Sequence, residues 1–243
     1  LQKNSDNASH FLTPRFLIRY APGEMRQEES GSRLDPTTAF SMNKVNNTNN
    51  FEKGLSGSFG FDYKIKKKNT NFDFSVAQVI NEIENKKMSS ESSLDEKLSD
   101  FVGSTNLKIG KNLTLNYDFA LDQNYRELNY NDLGLSLDYK KINFDFNYLQ
   151  EDKHIGNQEY LKTKVDLSTG KNGLVSFETK RNLIKNSSEF YNLSYEYIND
   201  CLRAGLVYRR EFYNDSELEP ENSLMFKITL TPFGGIDSPT FSQ

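Results

Sequence analysis

The sequence predicts an all-β fold, in the form of an antiparallel segment of a transmembrane β-barrel with about twelve up-and-down strands. Three observations support this prediction. Apolar and polar residues alternate along most of the chain, short turns and longer polar connections follow one another, and the alternating stretches run for about 9–11 residues, enough to cross a bilayer when tilted. We expect an open half of a larger barrel, although about twelve strands also suffice for a closed one.

The composition of the chain argues against a nucleic-acid-binding protein and against a transmembrane helix, and is compatible with a membrane barrel. The chain has 243 residues and a formal net charge of -4, whereas a nucleic-acid-binding protein usually shows a basic face. No apolar run reaches the roughly 18 residues of a transmembrane helix. A barrel strand needs only every second residue to be apolar, and 18 Phe and 13 Tyr suffice for aromatic girdles at the membrane interfaces.

The first residues, LQKNSDNASH, contain no initiator methionine, no charged n-region and no apolar h-region. An outer-membrane barrel needs such a signal for secretion. Either the signal has been removed or the chain is a piece of a longer protein, and we expect the second.

The strands are predicted from alternation, taken in chain order. The first, at 11–20, places Phe16, Ile18 and Tyr20 on one face. Alternation then predicts strands at 55–65, 72–76, 105–109, 113–121, 133–139, 142–148, 161–167, 175–177 and 224–230. Gly110-Lys111-Asn112, Lys140-Lys141 and Gly170-Lys171-Asn172 supply turn residues between neighbouring strands.

The hairpin at 191–212, YNLSYEYINDCLRAGLVYRREF, shows the pattern most fully. Asn199-Asp200 suits a two-residue turn. That turn pairs Ile198 with Cys201, Tyr197 with Leu202, Tyr195 with Ala204, Leu193 with Leu206 and Tyr191 with Tyr208. One face is then apolar or aromatic from the second pair onward, and on the other face Glu196 lies directly opposite Arg203.

The connections alternate in length. Short turns lie near Lys67, Lys111, Lys140, Lys171 and Asn199, and longer polar connections near Glu91, Asn124, Asp152, Lys185 and Asn214. Outer-membrane barrels keep their short turns on the periplasmic side, which makes 234–243 a periplasmic tail. We interpret 21–50 and 81–100 as loops, the second as a solvated charge run with at most a helical turn. A soluble β-sandwich, the other fold considered, has no reason to keep this order.

Candidate catalytic residues are few. The chain has two histidines, His10 and His154. Asp152 and His154 offer two parts of a hydrolytic site, with Ser187 or Ser188 as the third, but a solvated polar loop accounts for the same residues. The sequence has no Gly-rich phosphate cradle, HExxH or CxxC motif. We therefore expect no enzyme activity, no metal and no cofactor.

Arg210 is predicted on the apolar face with Tyr208 and Phe212, near the long-loop end of its strand. A full charge in lipid is costly except near the interface. One hypothesis is that Arg210 binds lipid phosphates, which guanidinium matches bidentately, and the alternative is that it snorkels into water.

Two patches resemble the LptD family of outer-membrane lipopolysaccharide-assembly proteins. The first is DCLRAGLVYRREF at 200–212, followed by EPEN at 219–222 and the strand at 226–233. The second is FSMNKV at 40–45, NFEKGL at 50–55 and FDFSVAQ at 72–78, which is similar to an Asn-Lys step, a Glu-x-Gly strand start and a strand that ends in Gln.

The resemblance implies that 1–243 is the C-terminal part of a barrel with about twice as many strands. It implies lipopolysaccharide transport, with lipid A inserted through an opening between the first and last strands and the sugars in the lumen. The strand at 224–233 would form one lip of that opening. Implied partners are lipopolysaccharide, the outer membrane, a lipoprotein that plugs the lumen and faces Glu196 and Arg203, and a periplasmic bridge protein.

Cys201 is the sole cysteine and cannot form a disulfide within this chain. Many members of the family carry two adjacent cysteines at this turn, disulfide-bonded to cysteines before the barrel. Here Asp200 replaces one of them, so the resemblance implies a single disulfide from Cys201 to a cysteine outside this chain.

Two other functions remain open at this point. A complete twelve-stranded barrel could act as a porin-like channel or as a lipid hydrolase. Solute conductance without lipid dependence would favour the channel, and activity lost on changing His154 would favour the hydrolase.

Overall fold

A computed structural model describes residues 1–5, 7–28, 31–45, 49–153, 156–212, 221–230, 234–237 and 241–242. The strands in these residues are β1 (Gln2–Ser5), β2 (Ala8–Ala21), β3 (Gly54–Lys67), β4 (Thr70–Asn81), β5 (Phe101–Ile109), β6 (Leu113–Leu121), β7 (Leu128–Tyr139), β8 (Ile142–Glu151), β9 (Gln158–Thr169), β10 (Gly173–Asn182), β11 (Ser187–Ile198), β12 (Leu202–Glu211), β13 (Glu221–Leu230), β14 (Gly234–Asp237) and β15 (Phe241–Ser242). Short 3₁₀ turns at Thr38–Phe40 and Ser90–Ser92 are the helical elements of the described residues. No helix there is long and apolar enough to span a membrane.

The strands pair with their sequence neighbours in a single antiparallel sheet, from β1 through β13. These 13 up-and-down strands in an open sheet confirm the predicted fold class, a partial barrel. The extra strand is β1, which alternation misses because QKNS is polar throughout. The predicted tail at 234–243 contains β14 and β15, which both return to pair with β13.

The connections alternate in length as predicted. Short turns occupy 68–69, 110–112, 140–141, 170–172 and 199–201, and the longer connections are 22–53, 82–100, 122–127, 152–157, 183–186 and 212–220. Gly110 and Gly170 take positive φ angles of 62° and 70°, the left-handed backbone that glycine adopts at little cost. The predicted turns beginning at these glycines are therefore confirmed.

The chain divides into two compact units. Unit 1 comprises Leu1–Gly110, Thr114–Leu133 and Leu149–Gln158, and unit 2 comprises Lys111–Leu113, Gly134–Tyr148 and Glu159–Gln243. Each unit is described separately below.

In unit 1 the two faces of the sheet differ in exposure. Phe16, Ile18 and Tyr20 of β2 are 72%, 65% and 71% exposed on the apolar face. On the opposite face of β3, Ser56 and Ser58 are buried. This pattern is the inverse of a soluble sheet, in which the apolar face would be covered and the polar one solvated.

The polar face of unit 1 is buried because two long connections fold onto it. Its outer part carries small apolar residues, and the connections supply larger ones. Together they form a core of Met25, Leu34, Ala39, Val45, Ala77, Val79, Met88, Leu94, Val102 and Ala120. The interpretation of 81–100 as a loop is confirmed, but the prediction that it is solvated is wrong, because Met88 and Leu94 are apolar enough to anchor it.

In unit 2 the apolar face is again exposed, as shown by Leu193, Tyr195, Leu206 and Phe226. These side chains were predicted to face lipid and not to be packed between stacked sheets. Their exposure agrees with that prediction.

The register of the 191–212 hairpin differs from the prediction by two residues. Tyr197 pairs with Ala204, Tyr195 with Leu206 and Leu193 with Tyr208. The reason lies in Asn199, whose side-chain Oδ1 accepts the backbone N–H groups of Cys201 at 3.0 Å and Leu202 at 2.7 Å. This side-chain turn widens the loop beyond the two predicted residues. A shift of two preserves both faces, so the predicted faces are correct and the predicted pairs are wrong.

Candidate functional site

The polar face is the part of the sheet that carries buried and charged groups, and in unit 1 the long connections are bonded to it. Ser58 Oγ donates to the carbonyl of Ala39 at 2.6 Å. The side-chain amide of Asn81 donates to the carbonyls of Leu94 and Glu96 at 3.0 and 2.8 Å. Both connections are thus held by strand side chains as well as by apolar packing.

Three charged residues form a buried cluster where connection 22–53 meets the sheet, with Lys44 and Glu52 in the connection and Arg19 in β2. The side chains of Arg19, Glu52 and Lys44 are 6%, 4% and 1% exposed. Arg19 Nη1 lies 3.6 Å and Lys44 Nζ 3.3 Å from Glu52 Oε2. Arg19 also donates to the carbonyls of Met42 and Glu52. Two cations therefore share one carboxylate away from water.

Asn43 holds this cluster together. Its Oδ1 accepts the backbone N–H of Glu52 at 3.2 Å, and its Nδ2 donates to the carbonyl of Asn50 at 2.9 Å. Desolvation lowers the pKa of Lys44, and attraction to Glu52 opposes the shift without cancelling it. The free-energy cost of burying the Lys44 ammonium therefore exceeds the stabilisation from its pairing with Glu52.

A cavity of about 410 Å³ lies between the 33–37 segment and strands β4 to β7. Arg33 forms its charged wall, with the guanidinium 3.3 Å from the centroid of the Tyr130 ring and an ion pair to Glu151. On the sheet side the cavity is lined by Ser75, Ser104 and Asp118. Arg15 holds the 33–37 segment of the cavity in place, because its Nη1 donates to the carbonyl of Pro36 at 3.3 Å.

The polar face of unit 2 forms a smaller site of about 240 Å³. Its charges are paired both between and along strands: Lys162 of β9 pairs with Glu178 of β10 at 2.8 Å, and Lys164 pairs with Asp166, two residues along β9, at 2.8 Å. Asn192 donates to Glu178 at 3.3 Å. This arrangement presents alternating positive and negative groups along the sheet, with solvent-accessible lysine side chains.

The predicted pair Glu196 and Arg203 is present, although not in the predicted geometry. Glu196 lies opposite Gly205 and not opposite Arg203, so that expectation is wrong. Arg203 reaches Glu196 diagonally, and its Nε and Nη2 lie 3.0 and 2.6 Å from Glu196 Oε2. Because Gly205 has no side chain, the space opposite Glu196 stays free for the arginine.

The other two predicted residues lie on the same hairpin. Arg210 is exposed at the long-loop end of β12, and its guanidinium lies 5.0 Å from the centroid of the Phe212 ring. Its face is the one that carries Tyr208, as predicted. Cys201 is an exposed free thiol in the short turn.

Of the residues considered for hydrolysis, the structure describes Asp152, Ser187 and Ser188. His154 lies outside the described residues. Asp152 accepts a hydrogen bond from Gln150 at 2.8 Å, and Ser188 Oγ lies 2.7 Å from Tyr191 Oη. Asp152 belongs to unit 1 and Ser188 to unit 2. Among the described residues, no group of three His, Cys, Asp or Glu side chains could hold a metal ion.

Sequence reasoning missed the Arg19–Glu52–Lys44 cluster and the Arg33 cavity. Their members are far apart in sequence, since Arg19 and Glu52 are separated by 33 residues and Arg33 and Glu151 by 118. One signal was available. The Asn-Lys step at Asn43-Lys44 and the Glu-x-Gly start at Glu52 were noticed as a motif, and the structure brings them into one cluster.

Comparison with known protein families places most of the chain in a family of transport proteins. The family model "LPS transport system D" (LptD) matches residues 1–170, which is 170 of the 243 residues. The matched range contains the patches at 40–45, 50–55 and 72–78, and ends before the patch at 200–212. No curated protein matches the chain significantly.

Proposed function

This chain belongs to the LptD family of lipopolysaccharide transport proteins, and from that premise we propose that its sheet is part of the outer-membrane barrel that inserts lipopolysaccharide into the outer leaflet. In this proposal the exposed apolar face contacts lipid, and the polar face accompanies the sugars. The family is one of transporters, not of enzymes.

The observation that carries the proposal is the inverted exposure of the two faces. Apolar side chains recur at every second position and stay exposed, while the other face holds charged pairs and buried polar groups. Lipid tails match the first surface, because a barrel in a membrane needs an outward apolar band. Hydroxyl-rich sugars match the second, because its polar groups can exchange hydrogen bonds with them.

The proposal can be tested by photo-crosslinking in living cells that carry the full-length protein. A crosslinking residue at Ser176 or Ser194 on the polar face should give adducts that an antibody against the lipopolysaccharide sugars detects. The same residue at Phe177 or Leu193, one position away on the apolar face, is the matched control and should not. Adducts at neither polar position, or solute conductance that is independent of lipopolysaccharide, would reject the proposal.

We further propose that 1–243 is the C-terminal part of the barrel, with β13 as one lip of the lateral opening and 234–243 in the periplasm. Support comes from the alternating connections, which leave β13 running from a long connection toward the tail. An epitope inserted at 238–240 should bind antibody only after the outer membrane is permeabilised. Antibody labelling of intact cells would show that the tail lies outside the cell and would contradict the proposed orientation.

Cys201 is proposed to form a disulfide with a cysteine outside this chain. Its exposure in a short turn leaves the thiol accessible to such a partner. In the full-length protein, Cys201 should resist alkylation until a reductant is added. Alkylation of the native, non-reduced protein would count against the disulfide.

Glu196 and Arg203 are proposed to face the plugging lipoprotein, and Arg210 to bind lipid phosphate. Arg203→Ala should reduce co-purification of the lipoprotein, with Arg209→Ala as control. Arg210→Leu should lower lipopolysaccharide export and antibiotic exclusion, and Arg210→Lys should retain most of both. Unchanged lipoprotein recovery or unchanged permeability would contradict the respective role.

A further inference from the structure

We propose that the cavity at Arg33 is a binding site for a neutral saccharide, held by Asp118, Ser75, Ser104 and the Nε of Arg33. The inference deepens the proposed transport function and rests on it. It concerns only unit 1, where all the lining residues lie.

Several hydrogen-bonding groups inside the cavity are left without a partner in the protein. Within the described residues, the carboxylate of Asp118 and the hydroxyls of Ser75 and Ser104 make no hydrogen bond or ion pair. Arg33 Nε is buried and has no partner in the same part of the chain. A buried donor such as Arg33 Nε is normally paired, and Ser75, Ser104 and Asp118 are half-buried around the same cavity, so together they indicate a ligand that pairs with them.

The sheet places these groups on one face. Ser75 of β4 and Ser104 of β5 are direct cross-strand partners. Asp118 of β6 lies on the face opposite to Tyr117 and Phe119, whose rings stack on each other at 5.7 Å. The three side chains therefore share the polar face of neighbouring strands, while Arg33 approaches from the connection above them.

The chemistry of the cavity lining suits a saccharide better than an acyl chain. A carboxylate accepts hydrogen bonds, the Arg33 guanidinium donates them, and serine hydroxyls do both, which matches the mixed donors and acceptors of sugar hydroxyls. An acyl chain would leave all four groups unpaired. The volume of about 410 Å³ lies within the range of small-ligand sites.

The charges around the cavity favour a neutral sugar over a phosphorylated one. The charge of Arg33 is already balanced by Glu151. Asp35 and Asp118 then leave the lining with an excess of negative charge. A phosphate group would be repelled by these carboxylates, whereas neutral hydroxyls can donate to Asp118.

The test uses full-length protein purified from outer membranes and, as probe, dephosphorylated core oligosaccharide released from lipopolysaccharide without its lipid. Calorimetry should detect binding that inorganic phosphate does not displace. Asp118→Asn should raise the dissociation constant about tenfold or more, because it removes a charged acceptor. Ser104→Ala should raise it less.

Asp73→Asn is the matched control. Asp73 lies on the same face of β4, two residues from Ser75, but its carboxylate is exposed and paired with Lys64 at 3.3 Å. This variant should bind the oligosaccharide like the unaltered protein. If Asp118→Asn fails to fold, as judged by heat-dependent gel mobility, the dissociation constant of Ser104→Ala is compared with that of Asp73→Asn instead.

Equal dissociation constants for the cavity variant and Asp73→Asn, or displacement of the sugar by phosphate, would overturn the inference. The crosslinking experiment at Ser176 and Ser194 keeps the two proposals separate. Adducts there, together with unaltered oligosaccharide binding in the cavity variants, would reject this site alone. Absence of adducts would reject the transport role itself.

Discussion

The two units share a strand pattern but treat their polar faces differently. In unit 1 the polar face is closed by connections 22–53 and 82–100, and its ion cluster around Glu52 is buried. In unit 2 the connection 183–186 is too short to fold back, and ion pairs such as Lys162–Glu178 remain accessible to solvent. Within the described part of the chain, the length of the connections therefore accounts for a covered polar face in unit 1 and an accessible one in unit 2.

The largest effect expected from this difference is at Glu52. Glu52→Gln leaves Arg19 and Lys44 buried without their shared carboxylate, and should lower the free energy of unfolding by about 3–5 kcal/mol. Glu178→Gln, the corresponding change in unit 2, should cost about 1 kcal/mol or less. Urea unfolding in lipid vesicles measures both, and equal losses would show that Glu52 is hydrated.

A second expected difference involves two serines on the polar face. Ser58 is 1% exposed beneath Ala39, whereas Ser194 is half-buried and lines the site of about 240 Å³ in unit 2. Ser58→Arg should displace connection 22–53 or lower the free energy of unfolding by about 3 kcal/mol or more, because the new charge has no partner. Ser194→Arg should have little effect. Protease cleavage within 22–53 is the readout, and protection of that connection in Ser58→Arg would contradict the sealed arrangement.

The buried Lys44 should make the stability of the protein depend on pH. Because the pKa of Lys44 is lowered in the folded state, the unfolded chain holds more protons in the interval between that lowered pKa and 10.5. Stability should therefore rise with pH through this interval, in contrast to the usual loss in alkali. Lys44→Met should abolish the rise. Urea unfolding at a series of pH values measures it, and an identical pH dependence in Lys44→Met would assign the rise to another group.

The smallest effect belongs to the exposed pair in unit 2. A double-mutant cycle of Glu196→Gln and Arg203→Ala should give a coupling free energy of about 0.2–1 kcal/mol, decreasing as salt is added. A coupling of several kcal/mol, insensitive to salt, would mean that this pair is buried by a partner in the complete protein.

The local pattern was readable from the sequence and the long-range pattern was not. Alternation at 191–198 gave both faces of the hairpin correctly, because the period of side chains along a strand is fixed. The register was wrong because a side-chain bond from Asn199 sets the loop, and such a bond is not visible in hydrophobic pattern.

The core of unit 1 escaped prediction for a different reason. Met25 and Leu94 are isolated apolar residues in polar segments, and their burial depends on contacts between connections far apart in sequence. The Arg33 cavity escaped prediction for the same reason, because its lining combines the 33–37 segment with strands far away in sequence. Only the Asn43-Lys44 and Glu52 motif hinted that something specific lay in the first connection.

The return of the chain end along β13 has its own consequence. A bare strand margin is a template for unwanted association, and here Ser223–Leu224 and Lys227–Leu230 already have hydrogen-bonded neighbours. Any further strand that joins β13 at these positions must take the place of β14 and β15. Assembly at this margin thus exchanges one set of backbone hydrogen bonds for another. The rate of assembly then depends on how readily the glycine-rich strand β14 dissociates from β13.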